Sequence, residues 1–198
     1  ADLGKLRRVF ENLISEAATT DPSHMTMFTS LPAAVHGVTS GMKPLAVPAI
    51  TLAEALRGRG YRTAAFTEDG PLAHDRGFAR GFDIYGENAS ADLMSPDGRV
   101  TRTFGQARAW LEAGPSTPFF LFVHTFQVHA PYSPPLAYRR YFLTDGDAWV
   151  DVPPERGAQH AEAEHAARNY DREIRFVDDE LERLLQWMEA TGLLERTI

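Results

Sequence analysis

Cysteine is absent from the 198 residues, which excludes a disulfide framework, a thiolate metal site and a cysteine nucleophile within this chain. Basic charge is scarce: 20 lysines and arginines stand against 27 aspartates and glutamates, a formal net charge of -7. That balance argues against a general nucleic-acid binder or a protein drawn to anionic membranes. Long apolar runs are missing too. "FFLFV" at Phe119–Val123 falls far short of the roughly 20 residues that span a bilayer, and the first residues lack the apolar core of a signal peptide, so the chain as given reads as soluble. "GFARGFD" follows no strand and opens no helix, so it is not a dinucleotide fingerprint, and no phosphate-binding glycine-rich loop is present. What remains is ordinary. With 43% hydrophobic and 24% charged residues, the length suits one domain, 1–198, with a substantial core.

Periodicity divides the chain into alternating elements. Leu6, Val9, Phe10, Leu13 and Ile14 recur at helical spacing and predict an N-terminal amphipathic helix. In "TTDPSHMTMFTS", Thr19–Ser30, Asp21 has the side chain of an N-cap and Pro22 suits the first helical position, so a helix is expected from Pro22 with Thr20 just outside it. "PAITLAEALRGRGYRTAAF" predicts a helix through about Arg59, a glycine stop at Gly60 and a strand over "YRTAAF". Residues 69–98 read as loop. "TFGQARAWLEAG" predicts a helix and "TPFFLFVHTF" a strand apolar on both faces, as in a covered parallel sheet. Residues 132–157, rich in proline and aromatics, read as a lid or binding loop. In the last long helix Ala167, Tyr170, Ile174, Val177, Leu181, Leu184 and Met188 step by three and four as one apolar stripe, before a glycine stop and the start of a strand in "ATGLLERTI". The alternation predicts an α/β fold with "YRTAAF" and "TPFFLFV" parallel in one sheet.

Few residues could carry chemistry. Thr20 stands where a helix N-terminus favours an anion, and a hydroxyl there is well placed to meet a phosphate or sulfate ester. His129 follows the apolar strand at the edge where α/β proteins place ligands. His124, among phenylalanines, reads as a core histidine, and His36 as one that holds a loop through hydrogen bonds. Asp178, Asp179, Glu180 and Glu182 read as a solvated helix face, and Glu162 with His165 as a single pair where a bundle metal site needs two.

Taken in order, "TTDPSHMTMFTSLPAAVHGV", "TLAEALRGRGYRTAAF", "GFARGFDIY", "PFFLFVHTFQVHAPYSPP" and "YDREIRFVDDELERLLQWMEATGLLERTI" resemble the sulfatase-like family of the alkaline phosphatase superfamily. The resemblance implies a three-layer sandwich with a mostly parallel central sheet, and a metal-dependent hydrolase or transferase acting on a small-molecule phosphate or sulfate ester. Thr20 falls on the family's nucleophile, which is also a metal ligand. His24 falls on a residue that binds the substrate anion, and His129 on the histidine of the His-x-Pro element. A divalent ion (Ca, Mg, Mn or Zn) is implied for the full-length protein.

The departures shape that expectation. Sulfatases of the family use a formylglycine made from cysteine or serine, and Thr20 carries a β-methyl that cannot give the same aldehyde, so phosphoryl transfer is favoured. "FTEDG" stands where the family has a Lys/His pair, and Gln127 replaces an aspartate common before the His-x-Pro element. The family's metal-binding aspartates lie on strands that would precede Ala1 and follow Ile198. The expectation is an incomplete domain that does not retain the metal alone; the alternative is a non-catalytic binding or structural module with the same fold.

Overall fold

A computed structural model describes residues 12, 14–39, 44–45, 48–68, 70–88, 99–115, 118–143 and 159–198. The helix expected around Leu6–Ile14 falls largely outside them, and of the lid expected over 132–157 they include 132–143, where Leu136–Tyr138 forms a 3₁₀ turn. The chain divides into two compact units, one of Ala1–Ala89 with Gly105–His124 and the other of Ser90–Phe104 with Thr125–Ile198.

In the first unit β1 (Arg62–Thr67) lies between β2 (Ile84–Glu87) and β3 (Phe119–Val123), in the order β2-β1-β3. Both pairings are parallel: Ala64 faces Ile84 across one ladder, and Thr63 faces Phe120 across the other. The parallel alignment of "YRTAAF" with "TPFFLFV" is as expected. β1 is buried from Thr63 to Thr67, and the apolar β3 beside it alternates its side chains across the sheet. On one face Phe122 meets Phe28 edge to face at 4.9 Å, and Phe120 stacks on Phe82 at 5.7 Å. On the other, Ala64, Phe66, Leu121 and Val123 pack with Ala107 and Trp110 of α4 (Arg99–Glu112). Helices thus cover both faces, with α1 (Thr20–Thr29) supplying Phe28 to the first.

Sequence reasoning missed β2. "IYGE" is short, only partly buried and lacks a period, so nothing distinguishes it from loop until β1 offers it a ladder. α2 is a single turn, Ala33–His36. α3 (Leu52–Arg57) starts on a capping box in which Thr51 and Glu54 each satisfy the other's backbone N–H. It ends two residues before the expected Arg59, and Gly60 follows at φ 86°. "GFARGFD" proves to be a packing device. Gly81 has φ 87°, and a Cβ there would lie 2.1 Å from the Glu54 backbone nitrogen. Only glycine lets the chain pass so close to the start of α3.

In the second unit α5 (Gln159–Ala190) is the expected long helix, yet it buries a different stripe. Asn169, Arg172, Glu173, Phe176, Glu180, Leu184 and Met188 are buried, whereas Tyr170, Ile174 and Leu181 are exposed. Phe176 joins Val100 and Tyr138 in the core of this unit. The acidic run is not wholly a solvated face. Glu180 is buried and pairs with Arg183, and Asp179 accepts a hydrogen bond from the Tyr138 hydroxyl at 2.9 Å. Periodicity ranks side chains by hydropathy and so overlooked polar groups that are buried because they are paired. At the chain's end Leu194–Arg196 forms a 3₁₀ turn rather than a strand.

Candidate active site

Helix α1 begins one residue before the expected cap. Thr19 is extended (φ -117°, ψ 155°) and makes no side-chain cap, so Thr20 is the first helical residue, Asp21 lies in the first turn and Pro22 is third. Asp21 turns away from the capping role toward Arg76, 3.9 Å away. Its charge is still favoured by the helix dipole. Thr20 is therefore part of the helix N-terminus, among backbone N–H groups that have no partner within the helix.

One turn on, His24 Nδ1 donates to the Thr20 carbonyl at 2.9 Å. The acceptor is a carbonyl, so Nδ1 must carry the proton, and Nε2 is the second ring position open to a ligand. The His24 ring meets His124 at 4.8 Å and 81°. His124 is the first residue past β3; its backbone N–H donates to the Phe66 carbonyl at 3.0 Å, and its ring stacks on Phe122. Burial, and secondarily the neighbouring His24, lower the His124 pKa to about 4, so its ring is neutral at physiological pH. His24 and Phe28 are four apart on α1, and Phe122 and His124 two apart along β3. The helix stripe therefore lies along one face of the strand and ends at the carboxyl edge of the parallel sheet, where α/β folds bind ligands.

Thr20 and His24 are thus brought together, and His124, read from sequence as a core histidine, joins them. Its signal was its place at the end of an apolar run rather than within it. His36 is the loop-holding residue expected: it accepts from the Val38 N–H at 3.1 Å and bonds Thr26 Oγ1 at 3.1 Å, and burial lowers its pKa.

His129 lies in the second unit, exposed, on a turn closed by its own N–H to the Phe126 carbonyl at 2.8 Å. Its Nδ1 donates to the Ala130 carbonyl at 2.6 Å, before a cis Ala130–Pro131 bond. Sequence reasoning missed Glu173 beneath this turn. Glu173 is 1% exposed, and its carboxylate accepts from the Ser133 N–H at 2.7 Å. Burial raises its pKa to about 7 against the opposing pull of that hydrogen bond and of the Gln127 side chain.

Thr20 supplies one oxygen that could reach a metal ion. Among the described residues no group of three or more His, Cys, Asp or Glu side chains could hold one. A hard divalent ion needs several anionic oxygens, so the described residues do not fit a complete metal site.

The family model "Sulfatase" matches residues 8–198. The chain belongs to the sulfatase family. Among solved structures it is similar to phosphonate monoester hydrolase of Agrobacterium radiobacter (19% identity, TM-score 0.68, covering 91% of this chain and 52% of that one). It is also similar to BT4656 in complex with its substrate D-glucosamine-2-N,6-O-disulfate (17%, TM-score 0.59, 93% and 55%). A third likeness is to the C-terminal periplasmic domain of EcEptC from Escherichia coli in complex with Zn (19%, TM-score 0.55, 77% and 43%). The chain spans about half the length of these structures, and at such identities the likeness speaks to the α/β fold. No curated protein matches it. Among the described residues no helix is long and apolar enough to cross a membrane.

Proposed function

We propose that the protein carrying this chain hydrolyses or transfers phosphate esters, with sulfate esters as the less favoured substrates. Thr20 is the nucleophile in this reading. The supporting observation is the pairing of Thr20 at the N-terminus of α1 with His24 one turn on, bonded at 2.9 Å. The helix N–H groups and, in the doubly protonated ring, His24 Nε2–H hold the anionic oxygens, and the Thr20 oxygen, its proton released to solvent, attacks phosphorus as the bond to the leaving oxygen breaks. His129 stabilises charge on the transferring group or leaving oxygen. Water then cleaves the threonyl ester in a hydrolase, or an acceptor alcohol does so in a transferase. A divalent ion bound by Thr20 belongs to this reading through the family resemblance, with its remaining ligands outside the described residues. Phosphorus is favoured over sulfur because a threonine cannot become formylglycine.

The test is turnover of bis(p-nitrophenyl) phosphate, p-nitrophenyl phenylphosphonate, p-nitrophenyl phosphate and p-nitrophenyl sulfate with added Mg²⁺, Ca²⁺, Mn²⁺ or Zn²⁺. Turnover of a phosphorus ester, abolished in a folded Thr20→Ala variant, is expected. No turnover of any ester, or full activity in Thr20→Ala, would favour the non-catalytic module instead.

A further inference from the structure

The turn that carries His129 is built from residues poorly able to hold themselves in place. In "HAPYSPP", 129–135, the three prolines have no backbone N–H and cannot extend a strand ladder, so the remaining donors need partners from elsewhere. Ser133 finds one in Glu173 Oε1 on α5, 40 residues later in sequence, at 2.7 Å. At the other end of the turn the Gln127 side chain lies beside the same carboxylate, while the Gln127 N–H is held by Thr125 Oγ1 at 3.0 Å.

Glu173 is 1% exposed, and its Oε2 has no hydrogen bond. Packing alone does not account for this. Burying a carboxylate with one oxygen unsatisfied is unfavourable by several kcal/mol, and a leucine or methionine would fill the space without that penalty.

We propose that Glu173 is a positioning residue for His129, one carboxylate on α5 holding both ends of the turn on which that histidine stands. Held this way, the turn keeps His129 Nδ1–H on the Ala130 carbonyl at 2.6 Å and presents Nε2 to a ligand, to which it donates once that nitrogen also carries a proton. The inference rests on the reading that His129 acts on the transferring group.

The test uses Glu173→Leu and Glu173→Gln in the protein that carries this chain. The readouts are kcat and KM on bis(p-nitrophenyl) phosphate and the His129 ring tautomer from long-range ¹H–¹⁵N NMR. Leucine removes the acceptor; glutamine keeps it. E173L should lower kcat about 10- to 100-fold, the usual effect of losing a residue that orients a catalytic group, with KM little changed and the Nδ1–H tautomer of His129 depleted. E173Q should restore kcat to within about threefold and recover the tautomer. Wild-type kcat and tautomer in E173L, a change in KM alone, or E173Q as impaired as E173L would each overturn the proposal. Should E173L fail to fold, Gln127→Ala must shift the same His129 signals, and unchanged signals would overturn it. If the wild type turns over no ester, the functional reading fails by itself, and the NMR signals still decide whether Glu173 holds His129.

Discussion

His24 on α1 and His124 at the end of β3 meet edge to face, ring centroids 4.8 Å apart. One turn along the same helix, Phe28 meets Phe122 in the same way at 4.9 Å. A single seam of four rings therefore runs from the core of the first unit to the carboxyl edge of its sheet, so packing that fixes Phe28 also fixes where His24 points. Aromatic pairs of this geometry contribute about 0.5–1.5 kcal/mol each beyond the area they bury.

The seam should make the protein acid-sensitive. The His124 pKa falls from 6.5 unfolded to about 4 folded, so between these values the unfolded state binds more protons and stability drops as pH is lowered. The loss is absent above about pH 6.5 and complete below about pH 4, where it reaches at most about 3 kcal/mol. His124→Phe preserves the ring and removes the titration. Urea unfolding at pH 7 and pH 4.5 should show a smaller acid loss in the variant than in the wild type. Equal losses would show that His124 does not titrate in this way.

Glu173 should act with the opposite sign. Its pKa is raised from 4.5 to about 7, so the folded state binds more protons in that window and stability falls as pH rises through it. The penalty is absent below about pH 4.5 and full above about pH 7, again about 3 kcal/mol at most. In Glu173→Gln the alkaline side of the stability profile should flatten while the His124 acid limb persists. An unchanged profile between pH 5 and 8 would contradict the raised value.

Gly81 and Gly60 offer a paired test of packing against backbone strain. Both have positive φ, 87° and 86°, but a Cβ at Gly60 meets nothing, whereas one at Gly81 runs into the backbone of Ala53 and Glu54. Gly60→Ala should cost about 1–2 kcal/mol from the left-handed conformation alone. Gly81→Ala adds a clash with backbone that cannot rotate away, and should cost more than about 3 kcal/mol. Similar denaturant midpoints for the two variants would refute the close approach.

These residues also show what the sequence made legible. The alternation of helix and strand and the helix over 103–112 follow from apolar periodicity, because those side chains are sorted by burial alone, and the parallel pairing of β1 with β3 follows from that alternation, each strand being preceded by a helix. Reasoning from period failed where polar groups go inside or where tertiary contact decides. Glu173, Arg172 and Asn169 are buried with partners, and β2 is a strand because β1 lies beside it. Around Thr20 the residue types predict a helix start but not its register: Asp21 carries a cap's side chain, yet it faces Arg76, and the helix starts at Thr20, two residues before the expected Pro22. The candidate pair Thr20 and His24 comes from the family resemblance of "TTDPSHMTMFTSLPAAVHGV", which places them two residues either side of Pro22. The role of His124 needed the fold, because nothing in the sequence says that α1 lies along β3.

The last prediction separates anion binding from nucleophilic attack. His24 in its doubly protonated form can donate from Nδ1 to the Thr20 carbonyl and from Nε2 to a bound anion at once. Asparagine resembles the Nδ1 side of the ring and glutamine the Nε2 side, so the two substitutions divide these tasks. If His24 only secures the first turn of α1, His24→Asn should behave like wild type. If it holds the substrate, as we propose, His24→Asn should raise KM and weaken inhibition by inorganic phosphate about 10- to 100-fold, the worth of one hydrogen bond to a charged group. Its kcat should change by less than about threefold, and His24→Gln should recover part of the affinity. Thr20→Ala should do the reverse, abolishing turnover while phosphate still binds at the helix N-terminus, with Thr20→Ser keeping part of the activity because the hydroxyl survives. An unaltered KM and phosphate inhibition constant in His24→Asn would remove His24 from the substrate site and leave its bond to Thr20 as its whole role.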